Sequence, residues 1–154
     1  MESAYKYEVY SKATQPRSGV VAPGSVGQPL RFSAPPEFGG KPGVWTPEHL
    51  FVSALASCYV STFSGIAALS KFNFSCLEVE AEGTLQTEAG GWKFTEIRLK
   101  PVLKIVHEED RERGARLLDK AERSCLIARS ITATVELEPE IRVVPEPALV
   151  EQVQ

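Results

Sequence analysis

Cysteine is scarce in this chain: Cys58, Cys76 and Cys125 are the only three among 154 residues. No two of them form a Cys-x-x-Cys pair, and no cysteine–histidine cluster has zinc-ligand spacing. Those absences argue against a thioredoxin-like redox motif and a finger-type metal site. No metal and no organic cofactor is expected. An odd cysteine count also speaks against a disulfide framework and points to a reducing cytosol. Basic charge is not in excess: 17 Lys and Arg face 20 Asp and Glu, a net charge of −3. A nucleic-acid binder usually carries a basic patch, so no nucleic-acid partner is expected. There is no run of five like charges, no internal repeat and no low-complexity segment. The first ten residues, MESAYKYEVY, lack the apolar core of a secretory signal, so the expected location is cytoplasmic.

One long stretch lacks charge altogether, Leu50 to Ser70. It is long enough to raise the question of a membrane span. Ser53, Ser57, Ser61, Thr62 and Ser64 interrupt it. A helix apolar on most sides but dotted with small polar residues is more often buried in a protein core. No membrane association is expected. The remaining composition, 43% hydrophobic and 24% charged, is that of one globular domain spanning 1–154. Its tail, 139–154, is rich in Pro and Glu and is expected to be partly frayed.

Periodicity outlines the elements. Tyr5 to Ala13 alternates, with Tyr5, Tyr7 and Val9 on one face, and reads as a half-buried strand. Gln15-Pro16 turns the chain; Arg17–Ala22 and Leu30–Ser33 are further short strands. A breaker-rich loop, Ala34 to Gly43, follows. Thr46 is a good N-cap, Pro47 suits the first helical position, and Glu48 suits the positive helix end. Helix one is expected over Pro47–Lys71, with Gly65 a place where another backbone can come close. Cys76–Thr87 alternates, Ala89-Gly90-Gly91 turns, and Trp92–Val106 returns as a strand, with Pro101 marking a bulge or an edge. Helix two spans His107–Leu126; its apolar stripe Gly114, Leu118, Ala121, Cys125 steps by four, three and four. Ile131–Leu137 is a last strand, after which Ile141, Val143 and Val144 can dock. The order β-β-β-α-β-β-α-β is that of an α+β fold, with mostly antiparallel sheets packed on two main helices.

Cys58, inside the uncharged helix, is the candidate nucleophile. A thiolate attacks and a thiol hardly does, so something must favour the anion. Cys58 is almost three turns in, too far for its own helix terminus to act. Arg17, on a turn before a strand, is the candidate cation, and Glu48 is placed to hold it by a bidentate pair. The plainer readings stand beside this one: a buried cysteine is commonly packing, and a turn arginine is commonly solvated. Cys125 strengthens the chemical reading. A thiol oxidised by peroxide becomes a sulfenic acid, which a second thiol on a separate element condenses to a disulfide. Cys76 has no such setting and is read as a spare. His49 and His107 are read as structural or solvated. Trp45 and Phe38 serve either as local packing or as walls of an apolar pocket.

The segment TPEHLFVSALASCYVSTF, Thr46 to Phe63, resembles the signature of the OsmC/Ohr family of thiol peroxidases, and the preceding PPEFGGKPG loop fits as well. The resemblance covers nearly the whole chain. It implies an intertwined homodimer that reduces organic hydroperoxides, with hydrogen peroxide as a further candidate substrate. By position, Cys58 matches the peroxidatic cysteine, Cys125 the resolving cysteine, Glu48 the active-site glutamate and Arg17 the active-site arginine. Gln15-Pro16 stands where Gly-Gly is expected before that arginine. Cys125-Leu126 replaces the Cys-Pro of the organic hydroperoxide resistance branch, so the chain is closer to the general OsmC-like branch. The resemblance also implies an external dithiol reductant, often a lipoylated protein. Two rivals remain: a non-enzymatic dimeric redox-sensing or apolar-ligand-binding protein, and a protein thiol–disulfide oxidoreductase, which the missing Cys-x-x-Cys disfavours.

Helix geometry adds one expectation. Glu48 and Cys58 are ten residues apart, about 15 Å along a helix at ~1.5 Å per residue, and face directions roughly 80° apart. One copy of the helix does not bring them together. Two antiparallel copies would, which predicts an obligate homodimer with shared sites.

Overall fold

Pro16 and Arg17 turn the chain back on itself, and two strands grow from that turn. The computed structural model describes residues 3–24 and 27–146. They group into two compact units, Met1–Phe51 and Val52–Gln154, and each is described by itself.

In the first unit, β1 (Val9–Gln15), β2 (Ser18–Pro23) and β3 (Leu30–Ser33) form an antiparallel sheet in the order β1-β2-β3. The register runs from Val9 opposite Pro23 to Gln15 opposite Ser18, with a bulge between Ala13 and Gln15. The half-buried strand expected from Tyr5 starts only at Val9, and all of β1 is exposed. Tyr7 is 92% exposed. The alternation is real, but β1 is an edge strand and its aromatic residues stay exposed. After β3 the chain is drawn tight by buried Ser33, whose hydroxyl accepts the Lys41 amide at 2.8 Å. Gly40 is obligatory there: a Cβ would lie 1.5 Å from the Ala34 carbonyl oxygen.

Helix α1 spans Pro47–Leu69. Thr46 caps it as its sequence promised, accepting the His49 amide at 3.1 Å, and His49 Nδ1 accepts the Thr46 amide at 3.2 Å. His49 thus fills the role that Glu or Gln plays in a capping box. The helix ends in a Schellman motif: Phe72 N–H bonds the Ala67 carbonyl and Lys71 N–H that of Ala68, with Lys71 at φ 51°. The boundary between the two units falls inside α1.

The second unit is built on a long hairpin, β4 (Cys76–Glu88) and β5 (Gly91–Ile105). Two short strands, β6 (Thr134–Leu137) and β7 (Glu140–Val143), both pair with the far side of β5, and both run parallel to it. The last strand therefore begins later than Ile131 and is parallel, while the docking segment around Ile141 is itself a strand. The α+β class with mainly antiparallel pairing on two helices holds. Residues 147–154, within the tail expected to fray, lie outside the described residues.

Pro101 marks neither an edge nor a bulge; it sits within the central strand β5. Leu99 O accepts from Glu138 N, and Ile105 O accepts from Val144 N, so odd-numbered residues of β5 face the β6–β7 side. Pro101 faces that side in the gap between them, because β6 pairs only as far as Leu99 and β7 begins at Val102. A missing N–H costs no ladder bond there. The bulge falls instead at Thr84–Leu85.

Ile97, Leu99, Leu103 and Ile105 of β5 form the centre of the core. Helix α2 (Arg111–Ser124) lays Gly114, Leu117, Leu118 and Ala121 toward it. A Cβ on Gly114 would come within 2.9 Å of Leu103 Cδ2. Helix α1 contributes Leu55, Tyr59, Phe63 and Ala67, one residue per turn. Each such side chain contributes about 1.5–3 kcal/mol by leaving water, Ala67 less. The rest of α1 is not core. It is long and apolar enough to cross a membrane, yet only 22% of its most apolar stretch is buried. The expectation of a core helix holds within this chain for a single stripe only.

Candidate functional site

Cys58 sits one position before Tyr59, and so flanks the buried stripe of α1 half-exposed. Tyr59 anchors this part of the helix: its hydroxyl is fully buried and donates to the Leu118 carbonyl of α2 at 3.1 Å. Burial, aided by the negative charges of Asp119 and Glu122, pushes the Tyr59 phenol well up, so it stays a donor.

Helix α2 was expected to carry Cys125 on its inward stripe. It stops one residue earlier. Cys125 is extended, at φ −65° and ψ 120°, and its amide tightens the last turn by bonding Glu122 O at 3.3 Å. The side chain still points inward and is fully buried. The chain then turns through Leu126 and Ile127 into a short 3₁₀ segment, Ala128–Ser130.

This turn meets Cys58. Partial burial raises the Cys58 thiol's pKa, but hydrogen bonds from the Ile127 amide, the Cys125 thiol, the Thr62 hydroxyl and the Leu126 amide outweigh it and hold the group below the ordinary thiol value. Cys125 moves the other way. Burial pushes its thiol up, and its bond to Cys58 adds to that, against the Ala128 and Ile127 amides. The two sulfurs are therefore unlike: one inclined to ionise, the other a thiol that donates to it. All three cysteines are reduced. Cys76 lies apart at the start of β4, opposite Lys104.

The two charged candidates belong to the first unit. Arg17 occupies the second position of the Pro16–Arg17 turn with φ 60°, a left-handed conformation uncommon for a residue with a side chain. Its guanidinium donates to the Phe38 carbonyl at 2.8 Å and passes over Gly39. Among the described residues no ion pair joins it to Glu48. Glu48 has one carboxylate oxygen, Oε2, buried with no hydrogen-bond partner. A buried, unsatisfied acceptor of this kind calls for a donor.

The sequence profile of OsmC-like proteins matches residues 40–140. The chain belongs to the OsmC-like protein family. A relative from Bacillus subtilis (strain 168), the uncharacterized protein YmaD, is 32% identical over 116 residues, 73% of this chain and 77% of its own. Solved OsmC-like structures share the fold. An OsmC-like protein of unknown function from Vibrio cholerae superposes with a TM-score of 0.78 at 21% identity, over 88% of this chain and 99% of that one. An organic hydroperoxide resistance protein OsmC from Legionella pneumophila gives 0.73 at 23%, over 92% and 100%. The organic hydroperoxide resistance protein OhrB of Bacillus subtilis gives 0.65 at 19%, over 90% and 98%.

Sequence reasoning singled out Cys58 and Cys125, the two thiols that the structure brings together. It passed over Thr62, Tyr59 and the amides of the Cys125 turn. Thr62 follows Cys58 by four residues, one helical turn, and that spacing was a readable signal. Backbone amides leave no trace in residue identity.

Proposed function

We propose that this OsmC-like chain is a thiol-dependent peroxidase that reduces organic hydroperoxides and works as a homodimer. The observation that carries the reading is the pairing of a thiolate-prone Cys58 with a neutral, buried Cys125. The Cys58 thiolate attacks the outer oxygen of the hydroperoxide. An S–O bond forms, the O–O bond breaks, and the leaving alkoxide takes a proton to become the alcohol. Cys125 then attacks the Cys58 sulfenic acid: the S–S bond forms and water leaves. An external dithiol reopens the disulfide by exchange and is itself oxidised. In this reading Arg17 supplies positive charge for the thiolate and the developing oxyanion, and Glu48 supplies the carboxylate that orients it.

Two observations support a second copy. The outer face of α1 carries Ser53, Ser57, Ser61 and Gly65 at four-residue spacing, and among the described residues nothing beyond Gly65's own stretch of helix comes within 4 Å of where its Cβ would stand. Beside it lies an open depression of about 430 Å³, lined by Ser53, Ala56, Ser57, Val60, Ser61 and Val79. Small residues let a second helix come close.

The test is stoichiometric. Reduced protein is mixed with hydrogen peroxide, a small alkyl hydroperoxide or a fatty-acid hydroperoxide. Alcohol release and a Cys58–Cys125 disulfide by mass spectrometry are expected, with Cys58→Ser inert. A rate no faster than free cysteine, or a disulfide formed through Cys76, overturns the reading.

A further inference from the structure

Of the four serines that share α1 with Thr62, Ser57, Ser61 and Ser64 spend their hydroxyls on the helix's own carbonyls. Ser57 donates to Ser53 O at 2.7 Å, Ser61 to Cys58 O at 3.1 Å and Ser64 to Val60 O at 2.9 Å. That is the common fate of a hydroxyl inside a helix. Thr62 behaves differently. The carbonyl four residues back, Cys58 O, already receives Ser61. Thr62 Oγ1 instead lies 3.9 Å from Cys58 Sγ, within reach of a sulfur hydrogen bond. Thr62 is half-buried, so water competes only in part.

We propose that Thr62 is a further catalytic residue: its hydroxyl donates to the Cys58 sulfur and keeps that sulfur ready to attack. This rests on reading Cys58 as the attacking thiol. A thiol is a poor acceptor and a thiolate a good one, so the bond favours the anion. The direction found for Cys58, below the ordinary thiol value, agrees, with Thr62 among its causes. The bond also has a cost. A thiolate of lower basicity is less nucleophilic, by roughly 0.4–0.5 log unit per unit of pKa. Below the Cys58 pKa the larger thiolate fraction wins; above it the lost nucleophilicity wins. A bond to the reacting sulfur therefore leaves a crossing in the pH profile, which a merely structural threonine would not.

The experiment compares full-length wild type, Thr62→Val and Thr62→Ser in the reduced state. Iodoacetamide alkylation of Cys58 is followed against pH, with peptide mass spectrometry counting Cys76 and Cys125 separately. Peroxide consumption is then measured on both sides of the midpoint. In Thr62→Val the alkylation midpoint is expected to rise by about half a unit to one unit. Its peroxide rate should be about two- to threefold lower below the midpoint and equal or higher above it. Thr62→Ser should follow wild type. If Thr62→Val does not fold, Thr62→Ala takes its place. An unchanged midpoint, or a rate lowered equally at all pH values, overturns the proposal. A shifted midpoint in a chain that consumes no peroxide supports the bond and overturns the peroxidase reading, so the two failures are told apart.

Discussion

At Cys58 two influences oppose each other. Partial burial favours the neutral thiol, and hydrogen bonds favour the thiolate; the bonds win. Folding therefore lowers the pKa of this group, and its thiolate fraction rises with pH earlier than that of a free thiol. Peroxide consumption should rise with pH through an inflection below 9.0, the ordinary thiol value, and then level. Stopped-flow rates against pH test this, and an inflection at or above that value would contradict it. Arg17 makes a second residue-scale case. Its φ of 60° costs roughly 1–2 kcal/mol for a residue with a Cβ. Arg17→Gly removes that strain while making the unfolded chain more flexible, so the melting temperature should stay level or rise. If the guanidinium serves Cys58, peroxide consumption should nevertheless fall about tenfold or more, in the range of losing one positioned charge in a site. A melting temperature clearly below wild type would count against the strain, and full activity against that role. Both sulfurs were legible from their settings in the sequence. The strain at Arg17 was not, because a left-handed φ at a non-glycine residue belongs to the fold rather than to the residue type.

At the scale of elements, the turn after α2 does more than carry the resolving thiol. It brings the Leu126 and Ile127 amides to Cys58. The Cys-Leu sequence matters for that reason, since a proline at 126 has no N–H to give. Cys125, at φ −65° and ψ 120°, already has the conformation that a residue before proline prefers. Leu126→Pro therefore keeps Cys125 as it is and removes chiefly one donor, whereas Leu126→Ala keeps the donor and removes only a side chain that is 68% exposed. The proline variant should raise the Cys58 alkylation midpoint, and the alanine variant should leave it unchanged. Equal shifts in both would show that the side chain, not the amide, is responsible. Tyr59→Phe probes the neighbouring contact. Losing the buried bond to Leu118 should cost about 1–2 kcal/mol in urea unfolding. A variant as stable as wild type would show that this bond adds nothing. Sequence periodicity located α1, the hairpin and α2 well, because buried stripes and alternation repeat over many residues. It ended α2 two residues late, began the last strand three residues early and gave that strand no direction. Strand direction follows from the path of the preceding chain, which no local pattern records.

For the whole molecule, the question is what covers the outer face of α1. A helix this apolar, with only 22% of its most apolar stretch buried, leaves a large surface facing water. Tyr5 and Tyr7 before β1, and Val9 and Tyr10 within it, are exposed as well. The sequence pointed to a homodimer through the separation of Glu48 from Cys58, ten residues along one helix. The orphaned Glu48 Oε2 is consistent with a donor that the single chain does not supply. The expected particle in sedimentation therefore has twice the 16.9 kDa mass of the chain, with no detectable binding to lipid vesicles. A monomer that partitions into vesicles would instead assign the apolar face of α1 to a membrane. If sites are shared between copies, complementation follows. Glu48→Ala and Cys58→Ser chains, each inactive alone, are unfolded together and refolded as a mixture. Up to about half of the dimers should be mixed by random pairing, each with one of its two sites intact, so about a quarter of wild-type activity should return. If Glu48 instead serves the Cys58 of its own chain, every site in the mixture carries one of the two defects, and no activity returns.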